Sequence, residues 1–168
     1  MGTADHFAAM ELAEAKPDEL TEKEAGFIAA RDSFYMATVS ETGWPYIQHR
    51  GGPKGFVKIL SPNRIAIAEF RGNSHYMSVG NLAAYNRVSL FLMDYPIRRR
   101  LKVMAYASAV GRDQDADLIA KVQDQGYRAV IERVMVFDIE AFDWNCPQHI
   151  TPRFTEDELV AAFEQAGR

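Results

Sequence analysis

FYMATVS (Phe34 to Ser40), ETG (Glu41 to Gly43) and WPYIQHRGG (Trp44 to Gly52) together decide the fold. The outer two are rich in β-branched and aromatic residues and the middle one is a turn, so the stretch reads as a hairpin. GFVKIL (Gly55 to Leu60), the turn at Ser61 to Asn63 and RIAIAEF (Arg64 to Phe70) read as a second hairpin, with Pro62 and Asn63 as turn residues. Four short strands with close turns point to a small antiparallel barrel rather than to alternating strands and helices.

Outward from these hairpins the pattern changes period. TEKEAGFIAARDS places Thr21 three residues before Glu24 as a capping box, followed by an apolar stripe that ends near Arg31. A looser helical stretch is expected over residues 4–15. NSHYMSVGNLAAYN reads as a helix capped by Asn73, with Tyr76, Met77, Val79 and Leu82 facing inward. VSLFLMD (Val88 to Asp94) is nearly all apolar, which predicts a central strand covered on both faces. From Arg98 to Val110 the residues alternate, with Leu101, Val103, Ala105 and Ala107 on one face and Arg98, Arg100 and Lys102 on the other. Asp115 to Gly126 reads as a helix closed by a glycine cap, ERVMVFDIEAFDWN as a strand, and TEDELVAAFEQ as a terminal helix whose Thr155 and Glu158 form a second capping box. Six or seven mostly antiparallel strands with peripheral helices result, in one domain over residues 1–168, with helical segments at residues 1–31 and 155–168.

Composition narrows the function classes. A length of 168 residues, 48% of them hydrophobic, suits one substantial core. The formal charge of -4 lacks the basic footprint that general nucleic-acid binding needs. There is no run near the ~18 apolar residues of a membrane helix, and the first residues are acidic where a signal peptide is basic and then apolar, so a cytoplasmic protein is expected. The single Cys146 has no cysteine partner, and the four histidines lack the spacing of a ligand pair, so no metal is expected. Neither a Walker A loop nor a dinucleotide glycine fingerprint is present. The chemistry must come from a cofactor or a partner.

Four segments could serve one. In QHRGGPKGF, parity puts Gln48 and Arg50 on one face with Tyr46, while two glycines and Lys54 follow. An Arg fork, a Lys and bare amides suit a phosphate, although the residue types by themselves favour a tight hairpin loop with solvated charges. EFRGNSHY ends a strand and opens a helix, which offers amides to an anion or simply a glycine turn and an Asn cap. The run Arg98, Arg99, Arg100 with Lys102 is a solvated tip or a local patch for an acidic partner. DWNCPQHITPRF combines a ring, amides, His149 and Arg153, which suit either a flat heterocycle or an ordinary ordered loop. Cys146 and His149 lie three apart in an irregular segment with no nucleophile elbow, a poor basis for a thiol nucleophile.

In this order, RDSFYMATVSETGWPYIQHRGGPKGFVKIL, RGNSHYMSVGNLAAYNRVSLFLMDYP and DWNCPQHITPRF resemble the FMN-binding split barrels related to pyridoxamine 5'-phosphate oxidase, in their uncharacterised branch. The resemblance covers roughly Ala25 to Phe154. It implies a split β-barrel, flavin mononucleotide (FMN) as cofactor, a homodimer with flavin sites at the interface, and an oxidoreductase acting on a small substrate. Carried onto this chain, it assigns the phosphate strand to His49, Arg50, Gly51 and Lys54, and the flavin and ribityl contacts to Glu69, Phe70, Asn73 and Ser74. Arg100 and Lys102 fall on the later strand that reaches the flavin, and Trp144, Gln148 and His149 on the part supplied by the second subunit. Glycines and a proline interrupt the phosphate motif, and no basic element after Arg153 matches the oxidase's substrate site. The alternatives are a flavin, haem or deazaflavin binding protein without turnover, or an anion-binding adaptor.

Overall fold

A computed structural model of the chain describes residues 16–71 and 77–166. The helical stretch expected over residues 4–15 and the cap at Asn73 lie outside these. The elements are helix α1 (Glu22–Ala29), strands β1 (Ser33–Val39), β2 (Pro45–Gly51), β3 (Lys58–Ser61) and β4 (Arg64–Phe70), helix α2 (Met77–Ala84), strands β5 (Arg87–Asp94) and β6 (Arg99–Gly111), helix α3 (Ala116–Val122), strand β7 (Ile131–Trp144) and helix α4 (Glu156–Ala166).

All seven strands belong to one antiparallel sheet in the order β2-β1-β5-β6-β7-β4-β3. The sheet curls around a core of Phe34, Met36, Ile65, Ile67, Leu90, Leu101, Val103 and Phe137, all nearly or fully buried. Among the described residues β2 and β3 are its two edges and no ladder joins them, which makes the barrel split. A second, smaller core of Ala66, Ala68, Val122, Val134 and Val136 lies beneath α3 on the back of β4 and β7.

The first hairpin follows the sequence reading closely, whereas the second opens only at Lys58, because Pro53 to Val57 form a turn that buries Phe56 and Val57, and its first strand runs on through Ser61. Thr21 and Glu24 form the expected capping box, as do Thr155 and Glu158, with hydrogen bonds of 2.8 and 3.3 Å. Leu101, Val103, Ala105 and Ala107 face the core together. Four further expectations are corrected. β5 is buried on one side only, because Val88, Leu90 and Leu92 enter the core while Ser89, Phe91 and Met93 stay half-buried on the outside. Arg98 lies in the turn before β6 with φ 55, since the β5–β6 connection needs a left-handed residue there. α3 ends at Val122 and its cap residue Gln123 is extended, so Gly126 serves a later turn at φ 90. Met77 points outward, and α2 instead turns the fully buried Ser78 towards the barrel.

Candidate functional site

Strand parity sorts the residues at the end of the first hairpin onto two faces. In β2, Tyr46, Gln48 and Arg50 are half-buried and Ile47 and His49 are exposed, and the register pairs Arg50 with the core residue Phe34 and His49 with Tyr35. Arg50 therefore lines the barrel mouth, and His49 the outer surface.

Across the mouth, Arg50 Nη1 meets Glu69 Oε1 of β4 at 2.5 Å, and Arg133 Nε of β7 lies 3.4 Å from Glu69 Oε2. This cluster spans the gap between β2 and β4, which no ladder bridges. Arg50 Nε is buried with no hydrogen-bond acceptor. Nearby, Ser78 of α2 donates to Gln48 Oε1 at 2.8 Å and Asn81 donates to the buried Thr38 hydroxyl at 2.9 Å, which fastens the helix to the first hairpin.

On the outer face the ladders line up one row across five strands. His49 pairs with Tyr35, Tyr35 with Phe91, Phe91 with Lys102 and Lys102 with Asp143. The His49 and Tyr35 rings lie 5.6 Å apart at 71°, and Lys102 Nζ lies 3.4 Å from Asp143 Oδ2. Two residues along β6 from Lys102, Arg100 holds a second buried Nε without an acceptor. Its backbone carbonyl accepts from the Asn145 N–H at 3.3 Å, and Asn145 Oδ1 is likewise buried without a donor. Beside the row a cleft of about 360 Å³ is lined by Tyr35, Ala37, Ile47, Ser89 and Phe91. A further cleft of about 400 Å³ lies towards the other end of the same strands.

Other expected site residues stand apart from this row. The Gly52 N–H donates to Asp32 O at 2.9 Å, and a Cβ at Gly52 would fall 2.8 Å from Phe56, so close approach of the buried ring requires glycine there. Gly51 ends β2 opposite Ser33, and Lys54 is exposed on the loop that follows. Phe70 turns to the opposite side of the sheet from Glu69 and packs on Tyr127, ring centroids 5.0 Å apart. Asn73 and Ser74 lie outside the described residues. Gln148 and His149 are exposed, and His149 adopts φ 62.

Trp144 is engaged within its own chain. Its indole N–H donates to Glu24 Oε1 at 2.7 Å, its ring meets Phe27 edge-on at 4.8 Å, and Lys23 Nζ lies 4.5 Å from the ring centroid. Burial raises the Glu24 pKa, but hydrogen bonds from Thr21 and the Trp144 indole outweigh it and hold the carboxyl below its usual range. Sequence reasoning missed Glu24 as a buried anchor, Arg133, and the two rings Tyr35 and Phe91. Tyr35 shares parity with His49 only once the hairpin register is known, whereas Arg133 carries no local signal.

A family model described as pyridoxamine 5'-phosphate oxidase matches residues 20–143. No curated protein matches the chain. Among solved structures, HupZ of Group A Streptococcus superposes with a TM-score of 0.59 at 13% identity, covering 80% of this chain and 100% of that one. A Clostridium acetobutylicum protein related to general stress protein 26, of the pyridoxinephosphate oxidase family, gives 0.54 at 15% identity, over 82% and 94%. An FMN-binding protein from Syntrophomonas wolfei gives 0.53 at 14% identity, over 74% and 85%. At these identities the structural likeness establishes the split-barrel fold. No helix among the described residues is long and apolar enough to cross a membrane.

Proposed function

This chain belongs to the pyridoxamine 5'-phosphate oxidase family, and on that premise we propose that it is an FMN-dependent oxidoreductase, acting as a cytoplasmic homodimer on a small substrate. The observation that carries the reading is the outer row His49, Tyr35, Phe91 and Lys102, with the acceptor-less Arg100 Nε two residues further along. Aromatic rings offer a flat heterocycle apolar contact, and cationic donors suit the electron-rich carbonyl and nitrogen edge of such a ring. Two exposed or half-buried rings beside basic side chains fit a flavin.

FMN supplies the hydride or electron transfer when bound. The chain's own residues bind and orient it. Lys102, steadied by Asp143, and Arg100 donate to the ring edge. Tyr35 and Phe91 exclude water from the ring's face. His49, Arg50, Gly51 and Lys54 are our assignment for the phosphate. Arg50 Nε needs an acceptor that a phosphate oxygen can supply, with Glu69 yielding part of its contact. Glu69, Phe70, Asn73 and Ser74 are assigned to the ribityl side. From the second subunit, Gln148 and His149 extend the site, and Trp144, tied to Glu24, fixes the strand end from which their loop departs.

The absorption spectrum of the freshly purified protein tests the reading. A flavin spectrum that reduced nicotinamide bleaches and an acceptor restores supports the oxidoreductase. Bound flavin that no reductant or acceptor turns over makes the protein a carrier. A protein that stays colourless with added FMN overturns the flavin assignment.

A further inference from the structure

The last described helix is the least covered element. α4 has eleven residues, and all from Glu156 to Gln165 are exposed. Leu159, Val160 and Phe163 form one stripe, at 44%, 52% and 75% exposure. Asp157, Glu158 and Glu164 flank it, and the helix carries no basic residue. Isolated helices shorter than ~12–15 residues are marginal in water, so a helix that gives no apolar side chain to its own barrel needs a surface to lie on.

A surface of matching chemistry exists on the outer face. The cleft of about 400 Å³ is lined by Ala37, Val39, Pro45, Met104 and Tyr106, with Arg87 at its rim and Glu140 also on its wall. The Arg87 guanidinium carbon lies 5.9 Å from the Tyr106 ring centroid. The apolar floor suits the apolar stripe, and Arg87 can meet one of the acidic flanks. We propose that α4 of one copy docks in this cleft of a second copy. Position argues for the second copy as occupant. The Arg153 guanidinium lies 4.9 Å from the Tyr95 ring centroid, which ties the segment leading into α4 to the β5–β6 turn. The cleft lies at the Arg87 end of the same hairpin, ~23 Å away along β5 at ~3.3 Å per residue. A two-fold axis crossing the strands exchanges these ends, so the arm that leaves one copy at Tyr95 arrives at the other's Arg87 end.

The docking rests on the homodimer proposed above, and disulfide trapping separates the two. Cys146→Ser removes the single thiol. In that background Phe163→Cys and Val39→Cys are prepared as separate proteins, mixed, oxidised with diamide and run on a non-reducing gel. A covalent dimer in the mixture, with none from either protein alone, is the expected result. No cross-link in the mixture, a cross-link from Phe163→Cys alone, or a doubly substituted chain that closes the disulfide internally overturns the docking. Sedimentation of Cys146→Ser keeps the failures distinct, since a monomer removes the dimer itself whereas a dimer without the cross-link removes only the seat of α4. Phe163→Asp should raise the dimer dissociation constant by about tenfold or more. An unchanged constant would overturn the docking as well.

Discussion

At the barrel mouth Arg50 and Arg133 both pair with Glu69, the three side chains being 15%, 19% and 12% exposed. On the other side of the same sheet Lys102, at 29% exposure, ends a row of rings that open on solvent. His49 and Arg50 are adjacent in sequence, yet one joins each group. Strand alternation sends them apart, and the curl of the sheet decides which face is enclosed. The inner charges tie β2 to β4 where no backbone ladder does so. The outer ones leave donors beside a half-apolar cleft. Fold and binding thus draw on the same residue types within a few positions.

If that division holds, Glu69→Ala should have the largest effect on stability. It removes the counter-charge that two half-buried guanidinium groups share, leaving Arg133 with Glu132 alone, a change that costs up to about 3–5 kcal/mol. Urea denaturation checks it, and a loss below about 1 kcal/mol would show that the mouth does not need the cluster. Lys102→Ala should do the reverse, weakening FMN binding by about 1.5–3 kcal/mol, or roughly tenfold to a hundredfold. Its half-exposed pairing with Asp143 should cost no more than about 1 kcal/mol in the same denaturation assay. Unchanged FMN affinity, or a stability loss equal to that of Glu69→Ala, would erase the contrast.

Gly52→Ala should destabilise by about 1–3 kcal/mol, because its Cβ would meet the base of the buried Phe56 side chain. A thermal melt matching the native protein would return this glycine to the pool available for phosphate contact. The smallest effect concerns Glu24. Its folded pKa is depressed, so the stability it contributes is present above the ordinary glutamate value of about 4.3 and is lost as pH falls through the folded value. Relative to the native chain, Glu24→Gln should cost about 1–2 kcal/mol at pH 7 and progressively less below about pH 4. Denaturation midpoints that run parallel from pH 7 to pH 3 would contradict this.

The seven strands, both capping boxes and the inward face of β6 were legible because each rests on local pattern: alternation, turn residues and cap spacing. The outer face of β5 was not. An apolar run such as VSLFLMD looks the same whether its second side is covered by its own chain or left open. The candidate site was legible in residue type but not in direction. The family resemblance assigned Arg50 and Glu69 to one cofactor site, but their direct contact depends on the curl that brings β2 to β4. Arg133 reaches Glu69 only through the β4–β7 ladder, 64 positions away in sequence, and no local pattern announces such a pairing.

The central claim is that the outer row, together with the basic strand end, makes a site for a flavin bearing one terminal phosphate. Calorimetric titration of the flavin-free protein with FMN and with riboflavin tests it most directly. Two charge-assisted hydrogen bonds to the phosphate, at about 1.5–3 kcal/mol each, predict that FMN binds at least about a hundredfold more tightly than riboflavin. Equal affinities for the two, or binding of neither, would contradict it.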